Sequence, residues 1–217
     1  MPTLEEARSW YPDDPVHGFD HVQRVYHLAG HIAQIEGADL AIVQAAALMH
    51  DAHGNQQLYG RIQDPPQHTR KSHQLTSADF ARTILTAEGW SEEHIAAVQH
   101  CIRSHRFRDQ SEPPNTLEAK ILFDADKLDA IGAIGVVRAV GYAITHGNPA
   151  YAEPSLDFLS TGKLTPGELH SAYHEYLFKL RKLKDLLYTP TAKVIAEGRH
   201  HVMEAFFEQL ADEMHDL

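Results

Sequence analysis

The stretch Leu40–Asp51, LAIVQAAALMHD, is an apolar run that ends in two side chains able to bind a metal ion. Its composition and spacing predict a buried helix, and burying His50 and Asp51 together costs free energy unless a partner satisfies them. Two distant residues are suitable partners: His21 precedes the run in HGFDHVQRV, and Asp126 follows it in FDADKLDAIGAIG. Two neutral imidazoles and two carboxylates suit a divalent ion such as Mn²⁺, Fe²⁺, Ni²⁺ or Zn²⁺. The sequence therefore predicts a metal site with the ligands His21, His50, Asp51 and Asp126.

The composition sets the broad class of protein. The 217 residues are enough for one good-sized core, and no Gly-, Ser- or Pro-rich linker divides them, so one domain is expected. The single cysteine, Cys101, excludes an intramolecular disulfide and a multi-cysteine zinc site and fits a reducing cytoplasm. A net charge of −11 argues against binding to polymeric nucleic acid. The acidic N-terminal stretch, and apolar runs broken by Gln44 and Arg138, predict neither export nor a membrane span, so a cytoplasmic protein is expected.

Apolar residues at steps of three and four run through most of the chain, which predicts an all-α fold. The predicted helices cover residues 20 to 36, 39 to 52, 70 to 88, 91 to 107, 117 to 145, 166 to 187 and 190 to 214. A glycine followed by a capping Asp or Ser, in Glu36-Gly37-Ala38-Asp39 and in Glu88-Gly89-Trp90-Ser91, predicts two tight helical hairpins. Residues 53 to 69 and 146 to 164 are predicted loops. Within a single domain over 1–217, we expect a metal-site core at about 17–146 and C-terminal helices at about 166–214 that pack on it.

The two hairpins are expected to bring four histidines to one pole of the domain. His21 begins the apolar stripe of its helix, His50 ends that of the next helix, and antiparallel packing places these two ends together. In the second hairpin His73 begins a stripe and His105 ends one, which predicts the same pole for them. For the His-Asp pair alone, a helix C-terminus exposed to water is an equal alternative. Its two distant partners favour the metal site.

The order His, His-Asp, Asp on separate helices resembles the HD-domain metal-dependent phosphohydrolases. The matching positions are His21, His50-Asp51 and Asp126. The phrases DHVQRV, DADKLDAIGAIG and KLRKLKDLLYTPTAK are similar to those of a bacterial subgroup of small HD hydrolases that includes nucleoside triphosphate pyrophosphohydrolases. The likeness runs from residue 17 to about 210. It implies an HD-type helical bundle, a small nucleotide as substrate, and one divalent ion, for which Mn²⁺ is favoured and Mg²⁺, Fe²⁺ or Ni²⁺ are alternatives.

The reaction that the resemblance implies is hydrolysis of a (deoxy)nucleoside triphosphate to its monophosphate and pyrophosphate by a metal-activated water. Four alternatives remain open: a nucleotidase, a cyclic-nucleotide phosphodiesterase, a non-catalytic sensor that binds a nucleotide, and a purely structural helical protein. The oligomeric state is equally open.

Residues around the predicted ligands are candidates for proton transfer and phosphate binding. The candidate catalytic residues are His105, His73 and Asp129. For His105 the alternative is a core histidine bonded to a backbone carbonyl, and Asp129 is also suited to orienting a ligand histidine. The candidate phosphate-binding residues, each with a solvated surface position as the alternative, are Lys71, Arg24, Arg103 and Lys127. Three other histidine pairs are expected at the surface: His27 with His31, His170 with His174, and His200 with His201.

Overall fold

The structure is a computed structural model that describes residues 1–11, 18–52, 73–106 and 112–215. All regular structure in these ranges is helical, which confirms the all-α prediction. The helices are α1 Leu4–Arg8, α2 Phe19–Glu36, α3 Leu40–Met49, α4 His73–Ala87, α5 Glu92–Ser104, α6 Leu117–Asp129, α7 Gly132–Thr145, α8 Leu156–Thr161, α9 Ala172–Phe178, a 3-10 helix Leu180–Leu186, and α10 Pro190–His215. The chain forms two compact units, Met1–Asp126 and Lys127–Leu217. The expected packing of the C-terminal helices on the core within one domain stays a prediction.

Two helical hairpins, α2–α3 and α4–α5, build the first unit. Gly37 ends α2 with a φ of 75°, and its N–H donates to the carbonyl oxygen of Ala33 at 2.9 Å. The Asp39 carboxylate then caps α3 by accepting hydrogen bonds from the first backbone N–H groups of that helix. Gly89, with a φ of 76°, and the capping hydroxyl of Ser91 separate α4 from α5 in the same way. Both predicted hairpin turns are therefore confirmed.

Helix α3 is the central helix of this unit. It contacts α1, α2, α4 and α5, and seven of its ten residues are buried. A helix that is apolar on every side is stable only when other helices surround it. Most of the apolar run Leu40–Met49 is thus buried, and the two polar residues that follow it, His50 and Asp51, lie at its buried C-terminal end.

The single helix predicted over 117 to 145 is wrong, because the chain breaks it in two. Helix α6 ends at Asp129, Ile131 is extended with a φ of −123° and a ψ of 169°, and Gly132 begins α7 with a φ of 78°. A positive φ cannot continue a right-handed helix. The guanidinium of Arg138 donates to the Asp129 carboxylate at 2.7 Å and so ties the end of α6 to α7. The apolar spacing continues across this break, which is why periodicity alone did not reveal it.

The helices and loops predicted for the C-terminal part of the chain also need correction. The predicted helix over 166 to 187 is a short α9 followed by a 3-10 helix, and the predicted loop over 146 to 164 contains α8. Helix α1 was not predicted.

The carboxylate of Glu168 accepts hydrogen bonds from the backbone N–H and the hydroxyl of both Ser155 and Thr165, at 2.7 to 2.9 Å. The two backbone N–H groups are the main reason that the pKa of Glu168 lies well below its usual range.

The surface prediction for the remaining histidines holds for only some of them. His174 is fully buried: its Nδ1 lies 2.7 Å from the Ser171 hydroxyl and its Nε2 lies 3.2 Å from Glu168. His200 is also buried, with 7% of its surface exposed. The prediction was wrong for His174 because its buried polar partners compensate the ring as water would. The same reason does not apply to His200, whose buried Nδ1 has no hydrogen-bond partner among the described residues. The histidines that are exposed as expected are His27, His31, His170 and His201.

Within the described ranges, no single helix is both long and apolar enough to cross a membrane. Only the bent pair of α6 and α7, taken together, meets that length and composition.

Gly135 in α7 has no room for a side chain. A Cβ there would collide with the carbonyl oxygen of Ala130 and would lie 2.7 Å from its carbonyl carbon. Because these are backbone atoms, we expect Gly135→Ala to lower the unfolding free energy by about 2 kcal/mol. Gly141, in the same helix, has no atom within 4 Å of an added Cβ, so Gly141→Ala should raise stability by up to about 1 kcal/mol. Urea unfolding of both variants is the measurement; equal midpoints would contradict the clash.

Candidate metal centre

His50 is the C-cap residue of α3, and its side chain is fully buried. Its Nδ1 lies 2.9 Å from the carbonyl oxygen of Ala47, one turn earlier. A carbonyl oxygen only accepts hydrogen bonds, so Nδ1 carries the proton, and the neutral ring presents the lone pair of Nε2. Burial lowers the pKa of His50 to about 4 against the opposing charge of Asp51. The ring is therefore neutral at pH 7, which is the form that binds metal ions.

The first turn of α2 places His21 beside His50. Their Nε2 atoms are 3.4 Å apart, and the two rings meet edge to face with centroids 5.4 Å apart. His21 is only 3% exposed. Asp126, near the end of α6, brings its Oδ1 to 3.4 Å from Nε2 of His21. The structure thus brings these three predicted ligands together at the C-terminal end of α3.

Asp51 lies between two groups of histidines. Its Oδ2 is 3.6 Å from Nε2 of His50, whereas its Oδ1 is 3.4 Å from Nε2 of His73 and 3.5 Å from Nε2 of His105. Two sets of ligand atoms result, each with its members within 4.8 Å of one another: His21, His50 and Asp51, and Asp51, His73 and His105. Asp51 is common to both sets. The sequence predicted the four histidines at one pole, but it did not predict that one carboxylate would face both pairs.

His105 is bonded to a backbone carbonyl and also faces Asp51; its role in proton transfer stays a prediction. Its Nδ1 lies 2.6 Å from the carbonyl oxygen of Ile102, as expected of a core histidine bonded to the backbone. The same hydrogen bond fixes the tautomer and turns Nε2 toward Asp51. His73, the first residue of α4, is the most exposed of the four rings, with 22% of its side chain accessible.

The distances fit a divalent cation. An ion with bonds of about 2.0 to 2.2 Å to nitrogen and oxygen ligands holds neighbouring ligand atoms about 3 Å apart. The separations of 3.4 to 3.6 Å here approach that spacing and exceed ordinary charged hydrogen bonds. Oδ1 of Asp51 is buried and has no hydrogen-bond partner among the described residues. A buried carboxylate oxygen without a donor is strongly disfavoured unless a cation compensates its charge.

Asp51 is ionised in this environment. Burial raises its pKa, but the neighbouring imidazoles of His50, His105 and His73 lower the pKa well below its usual range. The ionised carboxylate is the form that binds a hard or borderline divalent ion.

The other predicted site residues lie in different surroundings. Arg103 donates two hydrogen bonds to Glu112, at 2.7 and 3.0 Å, and this pair raises the pKa of Arg103. Its guanidinium is thereby engaged by a carboxylate, and its predicted role as a phosphate contact loses support. Arg24 is half-buried one turn after His21, and Lys127 is buried with 9% exposed. Lys71 lies outside the described residues.

Asp129 is engaged with Arg138 in the second unit. That Asp129 orients a ligand histidine therefore stays a prediction. Sequence reasoning also missed Tyr11, whose hydroxyl donates to the carbonyl oxygen of Leu48 at 2.6 Å. No periodicity or motif connects two residues that are 37 positions apart.

The comparisons with known proteins identify the family of this chain. The chain matches the HD domain over residues 18–131, so it belongs to the HD domain family. It is therefore a metal-dependent phosphohydrolase of the HD superfamily, and the family implies a divalent ion at the His and Asp cluster. Among individual proteins, it is 33% identical to YpgQ of Bacillus subtilis over 95% of this chain and 91% of that protein.

Solved structures extend the likeness to the whole fold. The structure of Bacillus subtilis YpgQ in complex with ADP matches with a TM-score of 0.70 and 31% identity, over 97% of each chain. An HD-superfamily hydrolase from Bacillus thuringiensis matches with a TM-score of 0.66 and 27% identity, over 99% of this chain and 97% of that one.

Proposed function

We propose that this protein hydrolyses (deoxy)nucleoside triphosphates to the monophosphate and pyrophosphate. The observation that carries the proposal is the position of Asp51: its carboxylate lies between histidine nitrogens on two sides, and its buried Oδ1 has no hydrogen-bond donor among the residues that the structure describes. A small nucleotide as ligand is supported by YpgQ, the relative crystallised with ADP. The pyrophosphate-releasing reaction follows from the resemblance of the sequence phrases to the pyrophosphohydrolase subgroup.

His21, His50, Asp51 and Asp126 would hold the ion, and Mn²⁺ suits their mixed nitrogen and oxygen atoms. A bound divalent ion supplies a Lewis acid that lowers the pKa of water toward neutrality and offsets the charge of phosphate oxygens. His50 is aligned for this role by its hydrogen bond to Ala47, because the protonated Nδ1 leaves Nε2 as the only ligand atom.

In this proposal His73 and His105 carry out the proton transfer. Nε2 of His105 accepts the proton of the attacking water, and Oδ1 of Asp51, 3.5 Å away, stabilises the resulting imidazolium. The ring of His73 lies 5.4 Å from that of His105 and is the more exposed of the two, so it exchanges the proton with solvent. Arg24 and Lys127 remain the candidate contacts for substrate phosphates, together with Lys71.

A second role for His73 and His105 is to hold another divalent ion with Asp51 as the shared ligand. The mutual spacing of their Nε2 atoms and Oδ1 of Asp51, all within 4.8 Å, favours it. Elemental analysis of the purified chain separates the two roles. One ion per chain in both wild type and His73→Ala supports proton transfer, whereas a decrease from two ions to one in His73→Ala supports the second ion.

A panel of substrates with Mn²⁺ tests the reaction. We expect nucleoside triphosphates to yield equal amounts of monophosphate and pyrophosphate, and we expect Asp126→Ala to be at least 100-fold slower because it loses a ligand. Release of orthophosphate from monophosphates would identify a nucleotidase, and opening of cyclic nucleotides a phosphodiesterase. Tight nucleotide binding without turnover across several metals would identify a sensor. Any of these three outcomes contradicts the proposal.

A further inference from the structure

Tyr11 joins the N-terminal segment to the end of the helix that carries the metal ligands. It follows α1, and its hydroxyl donates to the carbonyl oxygen of Leu48 at 2.6 Å. The hydroxyl oxygen of Tyr11 in turn interacts with the backbone N–H of Asp51. One hydroxyl group therefore contacts the backbone on both sides of His50.

The end of α3 needs such a partner. The last carbonyl groups of a helix have no N–H partner within the helix. The oxygen of Ala47 is bonded by the His50 ring at 2.9 Å, and that of Met49 by the N–H of Ala52 at 3.1 Å. The oxygen of Leu48, between these two, is bonded by the hydroxyl of Tyr11. Among these three carbonyls, Leu48 alone relies on a side chain that comes from a different part of the sequence.

The surroundings of Tyr11 keep its hydroxyl protonated, so that the group donates a hydrogen bond. Burial, followed by the negative charge of Asp51, raises the pKa of Tyr11 well above its usual range. The phenol is therefore protonated at neutral pH. Its ring contacts Phe19 at the start of α2, with centroids 6.1 Å apart, so that the hydroxyl is held by packing as well as by the hydrogen bond.

We infer that Tyr11 is a positioning residue that fixes the His50-Asp51 backbone, so that Nε2 of His50 and the carboxylate of Asp51 would face a common ion. This inference rests on the proposed metal centre. Residues that orient metal ligands without touching the ion commonly contribute 10- to 100-fold to metal affinity. Tyr11 acts on the direction of two ligands at once, because they are consecutive in the chain.

Binding of Mn²⁺ alone tests the inference, measured by electron paramagnetic resonance on the full-length protein. We expect Tyr11→Phe to bind Mn²⁺ about 10-fold or more weakly than wild type, with an unchanged far-UV circular dichroism spectrum. Its kcat at saturating Mn²⁺ should stay within about threefold of wild type, because no reacting group is lost. The control is Tyr26→Phe, on α2, which removes the hydroxyl of a half-buried tyrosine outside the ligand sets and should leave the Kd unchanged.

Incorporation of p-aminophenylalanine at position 11 provides a rescue, because its amino group restores a donor. We expect it to recover most of the Mn²⁺ affinity, and this variant also serves as the test if Tyr11→Phe does not fold. A Kd for Tyr11→Phe within twofold of wild type would overturn the inference, as would weak binding that the amino group does not restore. If wild type itself binds no Mn²⁺, the proposed function fails first, and the two failures are distinguishable.

Discussion

Asp51→Asn is expected to lose both the bound metal and at least 1000-fold of the nucleotide hydrolysis rate. In the described part of the chain, Asp51 is the one ligand common to both sets of histidines, and its buried Oδ1 has no hydrogen-bond donor there that could compensate the loss of an ion. The asparagine amide has nearly the same shape but carries no negative charge. Elemental analysis and the pyrophosphate release rate measure the two effects on the same preparation.

The matched control for this substitution is Asp79→Asn, which removes one negative charge from the exposed face of α4. We expect it to keep its metal content and its rate within about twofold of wild type, because an exposed charge acts weakly through water. A normal metal content in Asp51→Asn would contradict the assignment of Asp51 as a ligand. Loss of hydrolysis in both variants would point instead to an effect of net charge.

The sequence predicted the positions of the histidines well, because helical periodicity and hairpin topology are local properties. His21 begins one stripe and His50 ends the next, and a tight turn at Gly37 is enough to bring these ends together. The same argument applied to His73 and His105, which the second hairpin brings within 5.4 Å between ring centroids. What these residues do in the reaction stays a prediction that the experiments above test.

Other features were not accessible to such reasoning, for physical reasons that differ from case to case. The break after Asp129 depends on the backbone angle of Gly132, and an apolar stripe carries no information on it. The engagement of Arg103 depends on where Glu112 lies after the end of α5. The contact of Tyr11 with Leu48 is a tertiary contact between segments that share no pattern. Which polar groups become long-range partners depends on how the side chains pack, and this packing is established only when the whole core has formed.

The shared position of Asp51 also explains why the polar end of α3 tolerates burial. The unfavourable transfer of its carboxylate from water is offset by the adjacent imidazoles, which lower its pKa. Protonation of His50 is unfavourable, because it would place a positive charge in a fully buried position. The metal centre is therefore sensitive to acid at His50 before it is sensitive at Asp51.

Metal-free protein is expected to lose about 3 kcal/mol of its unfolding free energy through His50 as the pH falls from 6.5 to 4. The pKa of His50 is about 4 in the folded chain, whereas an unfolded histidine has a pKa of about 6.5. Between these values the unfolded chain takes up a proton that the folded chain does not, so stability decreases as acid is added. Asp51, whose pKa is depressed, contributes stability that is lost only at lower pH, below the ordinary range of an aspartate.

Urea unfolding in the presence of a chelator, at pH 6.5 and at pH 4.5, measures this effect. The informative comparison is with His50→Gln, whose amide can still donate to the carbonyl oxygen of Ala47 but does not titrate. We expect the wild type to lose about 2 kcal/mol more than His50→Gln between the two pH values. Mn²⁺ should restore the wild type at pH 6.5 far better than at pH 4.5, because the ion competes with protons for the same imidazole nitrogen. Equal losses in the two proteins would mean that the His50 ring accepts a proton without cost, and a site that did so would be too open to water to hold its ligands in place.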